Sequence, residues 1–88
     1  EHLSNPGWFL TRLKRQYAGV PVIVTTPNAF VRSAWLEKGF ENVNVDHVAW
    51  YSPRTLTTLL TRHGFTILDW ACYNGTAPVA EGLIVVAV

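Results

Sequence analysis

Apolar residues near the amino end recur at the spacing of an amphipathic helix. The residues on one helical face are Phe9, Leu10, Leu13 and Tyr17. Asn5 stands before Pro6, so that the asparagine caps the helix and the proline takes the first helical position, where its missing N–H costs nothing. Gly19 ends the run. The pattern therefore predicts a first helix that begins at Pro6.

A β-branched run with a proline near its start, Val20 to Thr26, follows. It has no polar alternation, which is typical of a strand covered on both faces in a parallel sheet. The next stretch, Ala29 to Lys38, has helical spacing and stops at Gly39. We therefore predict a buried strand followed by a second helix, on which Trp35 packs; Trp8 is expected to pack in the same way on the first helix.

The cap-plus-proline signal occurs again at Ser52 and Pro53. The apolar stripe that follows consists of Leu56, Leu59 and Leu60. Gly64 provides a left-handed stop, Phe65 is placed to fold back on the stripe, and His63 suits the negative end of the helix dipole. A further helix is therefore predicted, ending in a Schellman turn.

The closing part of the chain predicts two strands, Thr66 to Tyr73 and Leu83 to Val88, joined by the turn-rich segment 74–82. Because the connection is short, the pair is expected to be antiparallel. Phe40 to Tyr51 has no clear period and is expected to be an ordered loop at a functional edge. The order of elements predicts an α/β fold with a mixed sheet and flanking helices.

The composition indicates that the predicted three-stranded sheet is incomplete, because the chain has more apolar residues than such a sheet and its helices can bury. The 88 residues are 49% hydrophobic and 15% charged, against a usual charged share of about 25%. We therefore expect either that further sequence completes the core or that a homo-oligomer covers the excess apolar surface. Net charge is +1, and the cluster Arg12, Lys14 and Arg15 favours a solvated helix face over a nucleic-acid footprint. The single Cys72 is expected in the core of a cytoplasmic protein with no membrane span.

Three segments together resemble one enzyme family. The opening EHLSNP, then VIVTTPN, then NVDHVAWYSPRTLTTLLTRHGF are similar in kind and order to the carboxyl-terminal half of class I S-adenosylmethionine-dependent methyltransferases. The resemblance implies a partial Rossmann-like fold that contributes the late strands of a seven-stranded sheet. It also implies a parent enzyme that transfers a methyl group to an oxygen, nitrogen or carbon of a small-molecule or glycan acceptor.

The chain departs from the family at the cofactor. The six glycines stand at positions 7, 19, 39, 64, 75 and 82, so that no Gly-x-Gly pair exists to cradle it. We therefore expect residues 1–88 to be a single fragment, without the cofactor-binding half and unable to bind S-adenosylmethionine well by itself. Two alternatives stay open: a non-catalytic, self-associating interaction module, and a nicotinamide-dependent Rossmann enzyme.

A narrower resemblance concerns a metal. In small-RNA and ubiquinone-pathway O-methyltransferases, a Glu-x-x-Glu-His motif and, in the RNA enzymes, a downstream His hold a divalent ion. Glu1 and His2 match the end of that motif, and the segment from Asp46 to Trp50 resembles the downstream part. The resemblance implies Glu1, His2 and His47 as ligands. Carboxylate and imidazole suit such an ion, which orients acceptor hydroxyls and lowers their pKa.

Other roles remain for the same residues. His47 also suits a general base, because the ordinary pKa of histidine is near neutrality, and Asp46 with His47 suits a purely structural loop. The Glu-His pair also occurs in family members without a metal. Asn28 follows the predicted parallel strand, where open α/β sheets bind ligands, and is expected to line the substrate pocket or cap a helix. Tyr51 is expected in the pocket or the core.

Overall fold

The computed structural model describes residues 1–30, 46–77 and 79–88. Within these ranges, two helices and three strands are defined in the order α1 (Pro6–Gln16), β1 (Val22–Pro27), α2 (Pro53–Arg62), β2 (Ile67–Tyr73) and β3 (Gly82–Ala87). The helix expected over 29–38 lies, from residue 31 onward, outside the described residues, as do Trp35 and residues 40–45 of the expected loop. The small α/β domain expected from the pattern is confirmed.

Helix α1 begins where its sequence signals place it. The side chain of Asn5 accepts a hydrogen bond from the backbone N–H of Trp8 at 2.9 Å, and Pro6 is the first helical residue. The helix ends at Gln16, and Gly19 turns the chain with a φ of +77°. A residue with a Cβ is strained at this φ, so the glycine is the residue that the turn requires.

Helix α2 shows both of its predicted ends. Ser52 and Thr55 form a capping box, in which the Ser52 hydroxyl accepts from the Thr55 N–H and the Thr55 hydroxyl accepts from the Ser52 N–H. At the other end, the N–H of Phe65 donates to the carbonyl of Leu60. The N–H of Gly64 donates to the carbonyl of Thr61. These two bonds are those of a Schellman turn.

The sheet has the strand order β1-β3-β2, and β3 runs antiparallel to both neighbours. The antiparallel closing pair is confirmed, but the mixed sheet is wrong for the described strands, all of which pair antiparallel. The reason lies in the position of β3. It lies between β1 and β2, which run in the same direction but form no strand pair with each other. One parallel bridge, between Asn28 and Tyr51, lies outside the strands.

Strand β1 is not covered on both faces, and that prediction is wrong. Its side chains alternate between the two faces, and Ile23 is 68% exposed while Thr25 is also exposed. Val22 and Val24 point to the opposite face and pack against the core. The β-branched run suggested full burial because Ile23 is as apolar as its neighbours. Among the described residues, no helix packs on the face of the sheet that carries Ile23.

The core lies between the other face of the sheet and the two helices. Its buried residues are Leu10, Leu56, Leu60, Phe65, Leu83, Val85 and Ala87. Cys72 is half-buried and packs against this cluster, near where it was expected. Trp8 is a correction, because it is 59% exposed and faces away from the core. No helix in the described ranges is long and apolar enough to cross a membrane.

Candidate metal centre

Three side chains from two distant parts of the sequence meet at the carboxyl end of β1: those of the neighbours Glu1 and His2, and that of His47. The Glu1 Oε1 atom lies 3.6 Å from His2 Nε2 and 4.0 Å from His47 Nε2. One ligand atom from each of the three residues lies within 4.8 Å of the other two. The sequence predicted this set through the resemblance, and the structure brings all three together.

The carboxylate of Glu1 is held from two sides. Its Oε2 atom accepts a hydrogen bond from the Thr26 hydroxyl at 3.1 Å, which leaves Oε1 turned toward the two imidazoles. The backbone carbonyl of Glu1 accepts from the N–H groups of Val48 and Ala49, at 2.8 and 3.3 Å. The loop that carries His47 is thereby tied to the residue that carries the carboxylate. Such supporting contacts fix the orientation of a metal ligand.

His47 is more enclosed than His2: its side chain is 13% exposed, against 52% for His2. Its ring meets the His2 ring edge-on, with centroids 4.6 Å apart, and lies 5.5 Å from the Trp50 ring. The Nδ1 atom is buried and has no hydrogen-bond partner among the described residues. An unpaired buried polar atom costs about 1–3 kcal/mol. A histidine that binds a metal through Nε2 usually donates its other ring N–H to a carbonyl or carboxylate, and no described residue accepts from Nδ1 here.

The donor set fits a divalent cation. Ligand atoms around zinc or magnesium are roughly 3–3.5 Å apart, because each lies about 2.0–2.1 Å from the ion. The separations of 3.6 and 4.0 Å from Glu1 Oε1, within a set that spans up to 4.8 Å, are wider than that spacing, so the ligands must move closer together to bind an ion. His2 is exposed, so its ring is able to turn toward the others. One carboxylate and two imidazoles are the donors that borderline divalent metals prefer.

Tyr51 lies at the same end of β1. Its carbonyl accepts from the N–H of Ala29 at 2.8 Å, which forms the parallel bridge to Asn28. Burial raises the pKa of the Tyr51 phenol, and the negative charge of Glu1 raises it further. Both causes favour the neutral form. At neutral pH the side chain is therefore a neutral phenol, which is able to donate a hydrogen bond.

Asn28 is fully buried and both ends of its amide are engaged. Its Nδ2 donates to the carbonyl of Ala80 at 2.9 Å, and its Oδ1 accepts from the N–H of Phe30 at 3.2 Å. Its own N–H donates to the carbonyl of Glu81 at 2.9 Å. These contacts join the end of β1 to the segment before β3. The predicted role in capping has direct support, while contact with substrate stays a prediction.

An apolar groove of about 360 Å³ opens beside the site, with Glu1 and Tyr51 among its lining residues. It runs between α1, β1 and α2. Its walls include Pro6, Phe9, Leu13, Val22, Val24 and Leu59. The groove follows the edge of β1 that no described strand pairs with, since β1 is terminal in the sheet.

Thr26 is the residue that sequence reasoning missed. It is 5% exposed, and its hydroxyl orients Glu1. Its signal was its place as the last threonine of an otherwise apolar run, on the face that packs inward. Asp46 is exposed, and the cluster of ligand atoms is formed without it. Comparison with protein-family models, curated proteins and solved structures finds no match to this chain.

Proposed function

We propose that this chain forms the acceptor side of an S-adenosylmethionine-dependent methyltransferase, whose parent enzyme methylates a small-molecule or glycan acceptor. One observation carries the proposal. Glu1, His2 and His47 converge at the carboxyl end of β1, where their carboxylate and imidazole donors suit a divalent cation that orients an acceptor hydroxyl. The resemblance implies the same three residues as metal ligands.

The reaction needs little from the protein beyond alignment and the removal of one proton. A lone pair of the acceptor oxygen forms a bond to the methyl carbon. The carbon–sulfur bond breaks, and sulfur keeps the electron pair, which leaves S-adenosylhomocysteine. The acceptor proton passes to a base. His47 is placed for that task, because its Nε2 atom lies in the cluster, 4.0 Å from Glu1 Oε1.

Glu1, His2 and His47 would hold a divalent cation, which when bound lowers the pKa of an acceptor hydroxyl and orients it. Thr26 keeps the Glu1 carboxylate turned toward the histidines. The neutral Tyr51 phenol donates a hydrogen bond to the acceptor from the neighbouring wall. Two roles are open to the Nε2 atom of His47. If it is a metal ligand, removing the ring weakens cation binding; if it is only the base, cation binding is unchanged.

The fold supports a larger sheet. Strand β1 is terminal and an apolar groove follows its unpaired edge, as expected where a further strand of a Rossmann-like sheet lies. The glycine-rich cofactor loop is absent from the sequence. In our proposal, the rest of the parent enzyme supplies both that loop and the missing strands.

Methyl transfer by the full-length protein that carries this chain tests the proposal. Radiolabelled S-adenosylmethionine is offered with a panel of hydroxylated small molecules and glycans. We expect His47→Ala to reduce turnover at least a hundredfold, in keeping with the loss of a general base. His63→Ala, a histidine at the far end of α2, is the matched control and should retain turnover. Equal turnover in the wild type and His47→Ala would refute the proposed role.

Cation binding separates the two roles of His47. Titration with Co²⁺, followed by its visible absorption, reports tetrahedral or octahedral coordination by the protein. If His47 is a ligand, His47→Ala weakens binding at least tenfold, as does Glu1→Gln. If it is only the base, turnover falls while the Co²⁺ spectrum is unchanged.

A second candidate function is a non-catalytic module that associates with itself. The specific observation is the open edge of β1, which carries no charged residue and leaves Ile23 68% exposed. Edge strands of stable monomers are usually blunted by charge. Light scattering coupled to gel filtration distinguishes the candidates: a dimer of the 88-residue chain that Ile23→Lys converts to monomer supports the module. A wild-type monomer refutes it.

A further inference from the structure

The outward surface of α1 carries one aromatic ring among cationic and polar side chains. We call it the Trp8 face; its residues are Trp8, Arg12, Arg15 and Gln16, which together line a shallow depression. They fall at successive helical turns on one side of α1. The guanidinium of Arg12 lies over the Trp8 ring, 4.9 Å from its centroid. The face therefore presents a partly exposed indole with positive charge beside it.

All charged residues of α1 carry positive charge. The helix sequence, PGWFLTRLKRQ, holds three of the seven cationic residues of the chain and no acidic residue. Lys14 is directed elsewhere and lies over the Phe65 ring at 5.0 Å. Arg12 and Arg15 are left on the Trp8 face. No described acidic side chain forms an ion pair with either arginine within 4 Å, so both charges are available to an anion.

We propose that the Trp8 face binds single-stranded nucleic acid, with a base stacked on Trp8 and adjacent phosphates on Arg12 and Arg15. An exposed ring offers a stacking surface to any base, and arginines beside it neutralise the backbone. This revises the expectation of a merely solvated helix face, which rested on the place of these cations near the negative end of the helix dipole. The inference is independent of the proposed methyl transfer.

Other polyanions fit the face less well. A helix that lies in a membrane surface needs an apolar stripe to insert, but the buried Leu10 and the half-buried Leu13 of α1 pack inward against the core. Trp8 is the only apolar member of the outward face. An acidic peptide would satisfy the arginines and leave the flat ring unused. The combination of ring and charges therefore favours a ligand with both bases and phosphates.

Fluorescence anisotropy of a labelled ten-nucleotide oligouridylate, titrated with the 88-residue chain in 50 mM salt, tests the proposal. We expect a dissociation constant of about 10⁻⁵–10⁻⁴ M, in the range of non-specific binding. The logarithm of the affinity should fall with the logarithm of the salt concentration with a slope of about −1.4, because each phosphate contact contributes roughly −0.7.

Two variants separate the parts of the face. Arg12→Ala with Arg15→Ala should bring the salt slope near zero, whereas the matched control, Arg54→Ala with Arg62→Ala on α2, removes the same charge and should keep the slope. Trp8→Ala should weaken oligouridylate binding about tenfold, since stacking is worth about 1–3 kcal/mol per base. It should leave the binding of inorganic polyphosphate, which has no bases, unchanged.

Three outcomes would overturn the proposal. The first is no change in anisotropy up to 1 mM protein, a concentration set well above the expected constant of about 10⁻⁴ M. The second is an equal loss in the two double-arginine variants, which means diffuse attraction and no defined face. The third is binding to vesicles of anionic lipid in the absence of oligouridylate binding. Circular dichroism confirms that each variant keeps its helices, as expected for exposed positions.

Discussion

Replacing Asn28 by alanine tests how the end of β1 is held. The side chain is fully buried and links three parts of the fold. Its amide donates to the carbonyl of Ala80, and its Oδ1 accepts from the N–H of Phe30. Alanine removes both bonds, so that a carbonyl of the fully buried Ala80 loses its donor.

The expected loss in the free energy of unfolding is about 2–4 kcal/mol. Loss of a partner by a buried polar group costs about 1–3 kcal/mol, and loss of a helix-capping contact costs about 1 kcal/mol. A chain of 88 residues has a total stability of about 4–13 kcal/mol. The variant is therefore expected to lose a large share of it, and its melting temperature should fall by at least about 8 °C.

Urea unfolding followed by tryptophan fluorescence measures the effect. An unchanged dependence of the free energy on urea shows that the two states compared are the same. Asn5→Ala is the matched control, because Asn5 caps α1 from an exposed position and should cost only about 1 kcal/mol. If the two variants differ by less than 0.5 kcal/mol, the buried bond to Ala80 does not stabilise the fold as argued.

Three further predictions concern the core, the sheet and pH. Leu60→Ala, at a fully buried position, should lower the free energy of unfolding by about 2–5 kcal/mol, while Leu68→Ala, at an exposed position, should change it by less than about 0.5 kcal/mol in the same urea assay. Gly82→Ala puts a methyl group into the Tyr73 ring and should cost about 1 kcal/mol; the cost should vanish when Tyr73 is also alanine, and its persistence would contradict the contact. The raised pKa of Tyr51 means that the folded state keeps this proton longer than the unfolded state, so stability should fall as pH rises above about 10. Tyr51→Phe should remove that part of the fall, and an unchanged alkaline profile would contradict it.

Local sequence signals predicted the helices because their causes are local. Asn5 and Pro6 begin α1, and Ser52 and Pro53 begin α2, through hydrogen bonds that span three residues. The Gly64 stop works in the same way. Such contacts form wherever the residues stand in order, whatever the rest of the fold does. The helices within the described residues therefore begin where the sequence places them.

The sheet shows where local reasoning stops. An apolar β-branched run predicts a strand but not its neighbours, because pairing is decided by strands distant in sequence. Here β3 returns between β1 and β2, so that the described strands all pair antiparallel. Trp8 failed for a related reason. Helical spacing fixes which residues share a face, while the packing of the helix fixes which face is buried.

The composition of the candidate site was in the sequence, and its assembly was not. Resemblance singled out Glu1, His2 and His47, because carboxylate and imidazole at such positions suit a divalent ion. Only the tertiary structure brings a side chain 46 residues from Glu1 to within 4.0 Å of it, since that contact depends on the loop bonded to the Glu1 carbonyl. Thr26 entered the site for the same reason: a buried hydroxyl acquires a role from the atom it faces, and that atom belongs to another part of the chain.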